Sequence, residues 1–252
     1  MIAKEVHIGA HQPIMFHYPS PITFVVPSPT PDSFTSLIDN RRSIRAFQPT
    51  PVADEVLHEL LQSARQAPSG ANLQPGMFYA VQGAVRAALC DDLVQAFRAG
   101  QQEVEDYAYF PRPMPSVLRR RQVAAARALY GALQIERDDR AGRDLQFERN
   151  FRFFDAPVAL VVTIDRDFGS GGYMDLGMAL YGLMLAAHAR GLASCAVGAL
   201  ASYPSLIRRH LGLDDKSVVV CGMALGYADE DAPVNRTVTT RCELDEYFRV
   251  IG

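Results

Sequence analysis

Residues 174–190 carry the most hydrophobic helical pattern of this chain, with Leu176, Leu180, Leu183, Met184 and Ala187 at helical spacing and few polar residues on any side. A helix that is apolar nearly all round must be covered nearly all round. The chain therefore has to place it at the centre of its core or against a second subunit. Gly191 follows at the position where a left-handed residue ends a helix. Two continuous apolar runs lie on either side of it in sequence, residues 157–164 (Pro-Val-Ala-Leu-Val-Val-Thr-Ile) and 217–225. Runs of that kind read as strands buried on both faces. Residues 77–82 and 193–197 read as two more strands. Helices are predicted after Asp32 as N-cap (apolar face Phe34, Leu37, Ile38), over 53–67, over 85–97, and from Pro204 at the first helical position to near Gly212. Residues 100–150 read as an irregular Tyr/Pro-rich loop and one or two surface helices, with Arg119–Arg121 on a solvated face. Strands and helices do not alternate strictly and no segment repeats, which predicts an α+β fold.

Hydrophobic residues make up 48% of the 252 positions and charged residues 21%, enough for one large domain with a substantial core. The net charge of −3 gives no basic surface for nucleic acid. No apolar stretch reaches the roughly 18 residues of a membrane span. The four cysteines (Cys90, Cys195, Cys221, Cys242) form no close pair and read as reduced, mostly buried thiols of a cytoplasmic protein. The histidines are equally scattered, so no metal site is expected. Residues 1–31 contain Pro13, Pro19, Pro21, Pro27, Pro29 and Pro31, which predicts an extended arm, and its apolar residues, such as Phe16 and Phe24, predict that it lies against its own body or a partner subunit, while residues 1–12 read equally as a disordered leader. It has no basic-then-apolar pattern of a secretory signal. Gly169-Ser-Gly-Gly172 reads as a flexible turn. It does not meet the GxGxxG pattern, since Met174 stands at the last glycine position, so a dinucleotide-binding Rossmann unit is excluded.

Residues 41–47 read Arg-Arg-Ser-Ile-Arg-Ala-Phe. Three guanidiniums and a hydroxyl within five positions suit a dianion, because the planar fork of arginine pairs with phosphate oxygens and charge-assisted hydrogen bonds are the strong ones. Only Lys4 and Lys216 are lysine, so arginine clusters arise readily in this chain, and the segment alone also reads as a solvated helix end. A second polar segment, Ala-Pro-Ser-Gly-Ala-Asn-Leu-Gln-Pro at 67–75, follows the next helix. The pair suggests a phosphorylated cofactor held between an Arg turn and a Ser/Asn loop.

Those two segments are followed in order by Asp-Leu-Gly-Met (175–178), Gly-Leu-Ala-Ser-Cys (191–195), Leu-Gly-Tyr-Ala-Asp (225–229) and a closing Asn235…Arg241. That order resembles the FMN-dependent nitroreductase family from about residue 33 to 248, and the 100–155 segment resembles its nitrobenzoate and nitrobenzene reductase branch. The resemblance implies an intertwined α+β homodimer with a mixed sheet, two FMN molecules in the subunit interface and NADH or NADPH as electron donor. It makes Arg41, Arg42 and Ser43 ligands of the FMN phosphate and ribityl chain, and Arg45 the cation beside the flavin ring. Pro68, Ser69, Gly70 and Asn72 become the loop that reaches FMN, the first three on the other subunit's cofactor. Gly198 and Ala199 sit where the family turns a backbone N–H toward flavin N5. Arg241 resembles the last phosphate clamp, with Arg236 a weaker addition. The family's usual Gln-Pro-Trp is Gln74-Pro75-Gly76 here, and the chain has no tryptophan, so packing around residues 72–78 must differ.

The activity implied is reduction of nitroaromatic or related planar acceptors with ping-pong kinetics, the flavin carrying the electrons and no side chain acting as acid or base. Tyr107, Tyr109 and Phe110 are candidates for the pocket wall, since an aromatic can stack on a planar substrate; ordinary loop packing is the other reading. The same fold supports other chemistry, so an FMN-dependent dehydrogenase or enone reductase and a non-catalytic FMN-binding protein stand as alternatives.

Overall fold

The computed structural model describes residues 31–252. Its centre is a four-stranded sheet in the order β1-β2-β4-β3, made of β1 (Met77–Val81), β2 (Val158–Asp165), β3 (Ala193–Val197) and β4 (Ser217–Gly226). The two continuous apolar runs become the two central strands, because only a strand covered on both faces has no polar side to show. All strand pairs are antiparallel, with Val161 opposite Gly222 and a register shift after Val162. The parallel element among the described residues is the single bridge between Ser43 and Ser194.

Alternation along β2 divides the core. Ala159 and Val161 face one layer, formed by α3 (Gly83–Arg98), the turn 149–155 and α7 (Pro204–Leu211), where Leu89, Leu93, Phe151 and Ile207 are fully covered. Val158 and Leu160 face the other layer, formed by α2 (Asp54–Ala64) and α6 (Ser170–Ala189), with Leu60, Leu183 and Ala187. Truncating a residue such as Leu183 would cost about 2–5 kcal/mol, the range for a buried leucine whose cavity does not collapse. The hydrophobic helix predicted from sequence is this α6. One face is in the core, while Met174, Met178 and Tyr181 are exposed in the single chain.

Three of the boundaries that differ from expectation have a local physical reason. The helix α6 begins at Ser170, so the glycine segment forms its N-cap and first turn rather than a loose connection. Gly172 is buried against Phe168, whose ring would stand 2.6 Å from any added Cβ, so this glycine serves close packing. Helix α2 ends at Ala64, where bonds from Gln66 N–H to Ser63 O and Ala67 N–H to Ala64 O tighten the chain before Pro68. Helix α1 (Pro31–Asn40) starts at a proline, which puts Asp32 in its first turn instead of ahead of it. The extended arm expected for the N-terminal segment lies outside the described residues up to position 30. The remaining helices are α4 (Ser116–Ala132), α5 (Arg140–Glu148) and the short α8 (Leu244–Tyr247), and Arg119–Arg121 are exposed on α4 as expected.

Candidate functional site

The Arg segment leaves α1 through a bond from Arg41 N–H to Leu37 O and runs on extended along the edge of β3, where Ile44 N–H donates to Ser194 O at 3.1 Å. Extended chain alternates its side chains. Ile44 and Ala46 are buried, at 7% and 8% exposure, which turns Ser43 and Arg45 the other way. The segment is fixed from behind by Asn235. Its Oδ1 accepts from Arg45 N–H at 2.7 Å and Ala46 N–H at 3.2 Å, while its Nδ2 donates to Ala46 O and Asp229 O, both at 2.8 Å. All four hydrogen-bonding positions of a buried amide are thereby used.

On the outward side lies a cavity of about 500 Å³. Arg41, Arg42, Ser43, Arg45 and Arg241 all line it, with Tyr181 of α6 beside them. Two segments about 200 positions apart in sequence thus contribute guanidiniums to one space. Asp39 is the one carboxylate among its lining residues, so four cations face a single anion. The Nε of Arg41 is buried with no hydrogen-bond partner among the described residues. A buried donor left unpaired costs on the order of 1–3 kcal/mol, and a cavity with this excess of positive charge is stable when an anion enters it. The donor set fits the phosphate of FMN. Beneath it, burial pushes the Cys195 thiol up, against the pull of Arg45 and Arg41. Arg236 is exposed and does not line the cavity.

The Pro68–Asn72 segment stands elsewhere. Pro68 and Ser69 border a separate space of about 250 Å³ with Gly76 and Asp175. This loop is tightly wound: Ala71, Asn72 and Gln74 all have positive φ, near 50°, a conformation that side chains resist. Two anchors hold it. Gly70 N–H donates to Asp175 Oδ2, and Gln74 N–H donates to Ser69 Oγ, each at 2.9 Å. Gly76 adopts φ +105° with Leu176 Cδ1 only 2.5 Å from where a Cβ would be, so the departure from Gln-Pro-Trp is met by leucine packing directly on the backbone.

Gly198 and Ala199 open the turn Gly198–Ser202 at the end of β3. The ring of Tyr109 lies on Gly198, with Cε2 at 2.7 Å from a would-be Cβ. Tyr109 belongs to the irregular segment between α3 and α4 and packs on Phe110 at 4.8 Å and Tyr107 at 6.2 Å. Tyr107 in turn stacks near Tyr173 and donates from its hydroxyl to Val220 O at 2.7 Å; burial pushes its ionisation far above the ordinary tyrosine range.

The structure therefore brings Arg41, Arg42, Ser43, Arg45 and Arg241 to one cavity. Within a single chain it does not bring Pro68, Ser69, Gly70, Asn72, Gly198 or Ala199 to the lining of that cavity. Asp175 and Asn235 lie inside the Asp-Leu-Gly-Met and Asn235…Arg241 motifs, yet spacing assigns neither of them a place in the site, nor Asp106. Asp175, between Met174 and Leu176, carries the signal of a polar residue amid apolar neighbours, which marks burial but not its partner; Asn235 and Asp106 have the charged Arg236 and Glu105 beside them and carry no such signal.

Comparison with known proteins follows the same lines. The model of the nitroreductase family matches residues 38–227. The chain is 38% identical to a 4-nitrobenzoate reductase of Pseudomonas putida, over 81% of this chain and 89% of that protein. It is 36% identical to a nitrobenzene nitroreductase of Ectopseudomonas oleovorans, over 87% of this chain and 97% of that one. Among solved structures, the FMN and NADPH-dependent nitroreductase NfnB from Sphigopyxis sp. strain HMH superposes with a TM-score of 0.83 at 38% identity, covering 87% of this chain and 99% of the other. The FMN-dependent NfnB of Mycobacterium smegmatis, solved with NADPH, gives 0.82 at 32% identity, over 88% and 99% of the two chains.

Proposed function

Because this chain belongs to the nitroreductase family, we propose that it is an FMN-dependent oxidoreductase that takes reducing equivalents from NADPH or NADH and passes them to nitroaromatic acceptors. The observation that carries the reading in this chain is the convergence of Arg41, Arg42, Arg45 and Arg241 on one cavity with a single carboxylate. FMN, when bound, supplies two-electron chemistry that lets a hydride donor and a nitro acceptor be used in turn.

The protein's part is to bind, orient and shield. Arg41, Arg42 and Arg241 would hold the phosphate and Ser43 the ribityl chain. Arg45, pinned through its backbone, would set a positive charge beside the bound ring system and favour negative charge there by Coulomb attraction. Gly198 and Ala199 offer backbone N–H groups at the end of β3, and Tyr109 closes over them. Tyr107, Tyr109 and Phe110 form an aromatic wall against which planar reactants lie, so donor and acceptor share one opening and follow a ping-pong order. No side chain is assigned as acid or base.

A second copy completes the site. Met174, Met178 and Tyr181 on α6 and Phe34 and Ile38 on the adjoining α1 are exposed apolar residues in the single chain. Contiguous apolar surface of this kind marks an interface. A homodimer built there brings Pro68, Ser69, Gly70 and Asn72 of one subunit toward the cofactor of the other. The free thiols, three of them buried, suit a reducing cytoplasm.

The deciding experiment is an anaerobic absorption spectrum of the purified protein. A flavin band that bleaches with NADPH or NADH and returns on adding 4-nitrobenzoate supports the reading. Return with an enone but not with a nitroaromatic makes it an enone reductase. A band that neither donor bleaches makes it a binding protein.

A further inference from the structure

The segment 99–115 between α3 and α4 has no regular secondary structure, and loops of more than about 12–15 residues in a compact domain are usually functional. Its first half is nonetheless fastened at several points to α7 and β4. Glu103 Oε2 accepts from Ser205 N–H at 2.8 Å, at the start of α7. Asp106, with its side chain only 7% exposed, accepts from Arg208 Nη1 at 2.5 Å, Arg166 Nη2 at 2.9 Å and Val219 N–H at 3.3 Å. Arg208 is itself covered, at 11% side-chain exposure, and also donates to Ser217 O. Tyr107 OH adds its bond to Val220 O.

Tyr109 has no such tie. Its hydroxyl makes no hydrogen bond among the described residues, and half its surface is exposed. Its place on Gly198 is set by ring contacts and by the anchor three positions earlier. A buried carboxylate is a costly anchor compared with an apolar one, and its return is geometric definition rather than net stability. A nitroaromatic has little beyond its ring to orient it, whereas a nicotinamide dinucleotide also has phosphates and a second base. The wall therefore matters more to the acceptor than to the donor.

We propose that Asp106 is a positioning residue for the acceptor. Through Arg208 and Arg166 it holds the 103–110 segment in place, keeps the Tyr109 ring on Gly198, and so sets which planar acceptors are oriented productively. This rests on the nitroreductase reading above.

The test uses the flavin-loaded protein and the variants D106N, D106E and R166A. In D106N, flavin content stays stoichiometric and the donor half-reaction stays within about twofold. Acceptor KM rises about five- to tenfold, and the preference between a small and a bulky nitroaromatic shrinks, as loss of orientation without loss of chemistry requires. D106E recovers part of the preference. If D106N does not fold, R166A, which removes one of the three contacts from a half-exposed side chain, shows the same split to a smaller degree.

A readout independent of turnover comes from F110W, a single reporter beside Tyr109 in a chain without tryptophan. Adding D106N to it lowers emission anisotropy and raises acrylamide quenching. Equal losses in donor and acceptor steps, or an unchanged reporter and acceptor preference, overturn the proposal. If no donor reduces the wild-type protein, the nitroreductase reading fails, and the reporter alone still decides whether Asp106 holds the wall.

Discussion

Asn235 Oδ1 accepts the backbone N–H of Arg45 at 2.7 Å, a contact between residues 190 positions apart. It makes the closing segment of the chain the support of the opening one. In N235A, the N–H groups of Arg45 and Ala46 and the carbonyl of Ala46 lose their buried partner. The expected cost is about 2–4 kcal/mol in chemical denaturation, since several buried polar groups are orphaned at once, and flavin per subunit falls in the same samples. N235D, which keeps the acceptor and loses the donor, should fall between.

Arg42→Ala and Arg241→Ala each remove one guanidinium from the 500 Å³ cavity. Each is expected to weaken FMN binding by about 1.5–3 kcal/mol, the range for a hydrogen bond to a charged group, read by equilibrium dialysis of flavin. Undiminished stoichiometric flavin at nanomolar protein in both variants would remove these residues from the cofactor site.

Gly198→Ala places a methyl where the Tyr109 ring lies, 2.7 Å from Cε2. The ring must move. Acceptor kcat/KM is expected to drop by about tenfold or more, and because Y109A deletes the same ring, adding Gly198→Ala to Y109A should cost little beyond Y109A alone. A double-mutant cycle with no coupling would show that the two residues do not meet.

Acid stability should depend on Asp106. Burial alone would raise its pKa, but hydrogen bonds from Arg166 and Arg208, the Arg208 charge and Val219 N–H hold it below the ordinary 3.8. A carboxyl depressed in the folded state stabilises the protein fully above its unfolded value and loses that contribution as pH falls through the folded one. Thermal melts from pH 6 downward should therefore show a stability loss beginning near pH 4 and continuing below it, and D106N should flatten that part of the curve while being less stable at pH 6.

Thiol reactivity should single out Cys242. Cys90, Cys195 and Cys221 are buried, and burial pushes all three thiols up, Cys221 to about 12. At pH 8 one equivalent of a thiol reagent is expected to react quickly and the rest only on unfolding.

Much of the fold was readable because the signals are local. The runs at 157–164 and 217–225 could only be covered strands, and Gly191 and Gly212 mark helix ends through left-handed φ values of 72° and 63°. The start of α6 was misjudged because glycines weigh against helix in any propensity argument. Here Gly172 lies in the first turn, where a side chain would strike Phe168. The Arg cluster was legible as chemistry, yet its meeting with Arg241 depends on packing that no periodicity encodes. Asn235, Asp175 and Asp106 each hold one segment of the site by contacts 102 to 190 positions distant, and sequence spacing alone cannot name such partners.

The bridge between Ser43 and Ser194 has a further effect. The strand β3 is the outer strand of the sheet; Ser43 and Ile44 lie against its free side at Ser194, and Phe47 pairs with Ala228 just beyond β4. An uncovered strand border invites pairing with other molecules. On the proposed placement of the FMN phosphate among Arg41, Arg42 and Arg241, emptying that nest is expected to loosen the ribbon that shields this border, so that loss of the yellow pigment and a tendency to clump would rise together.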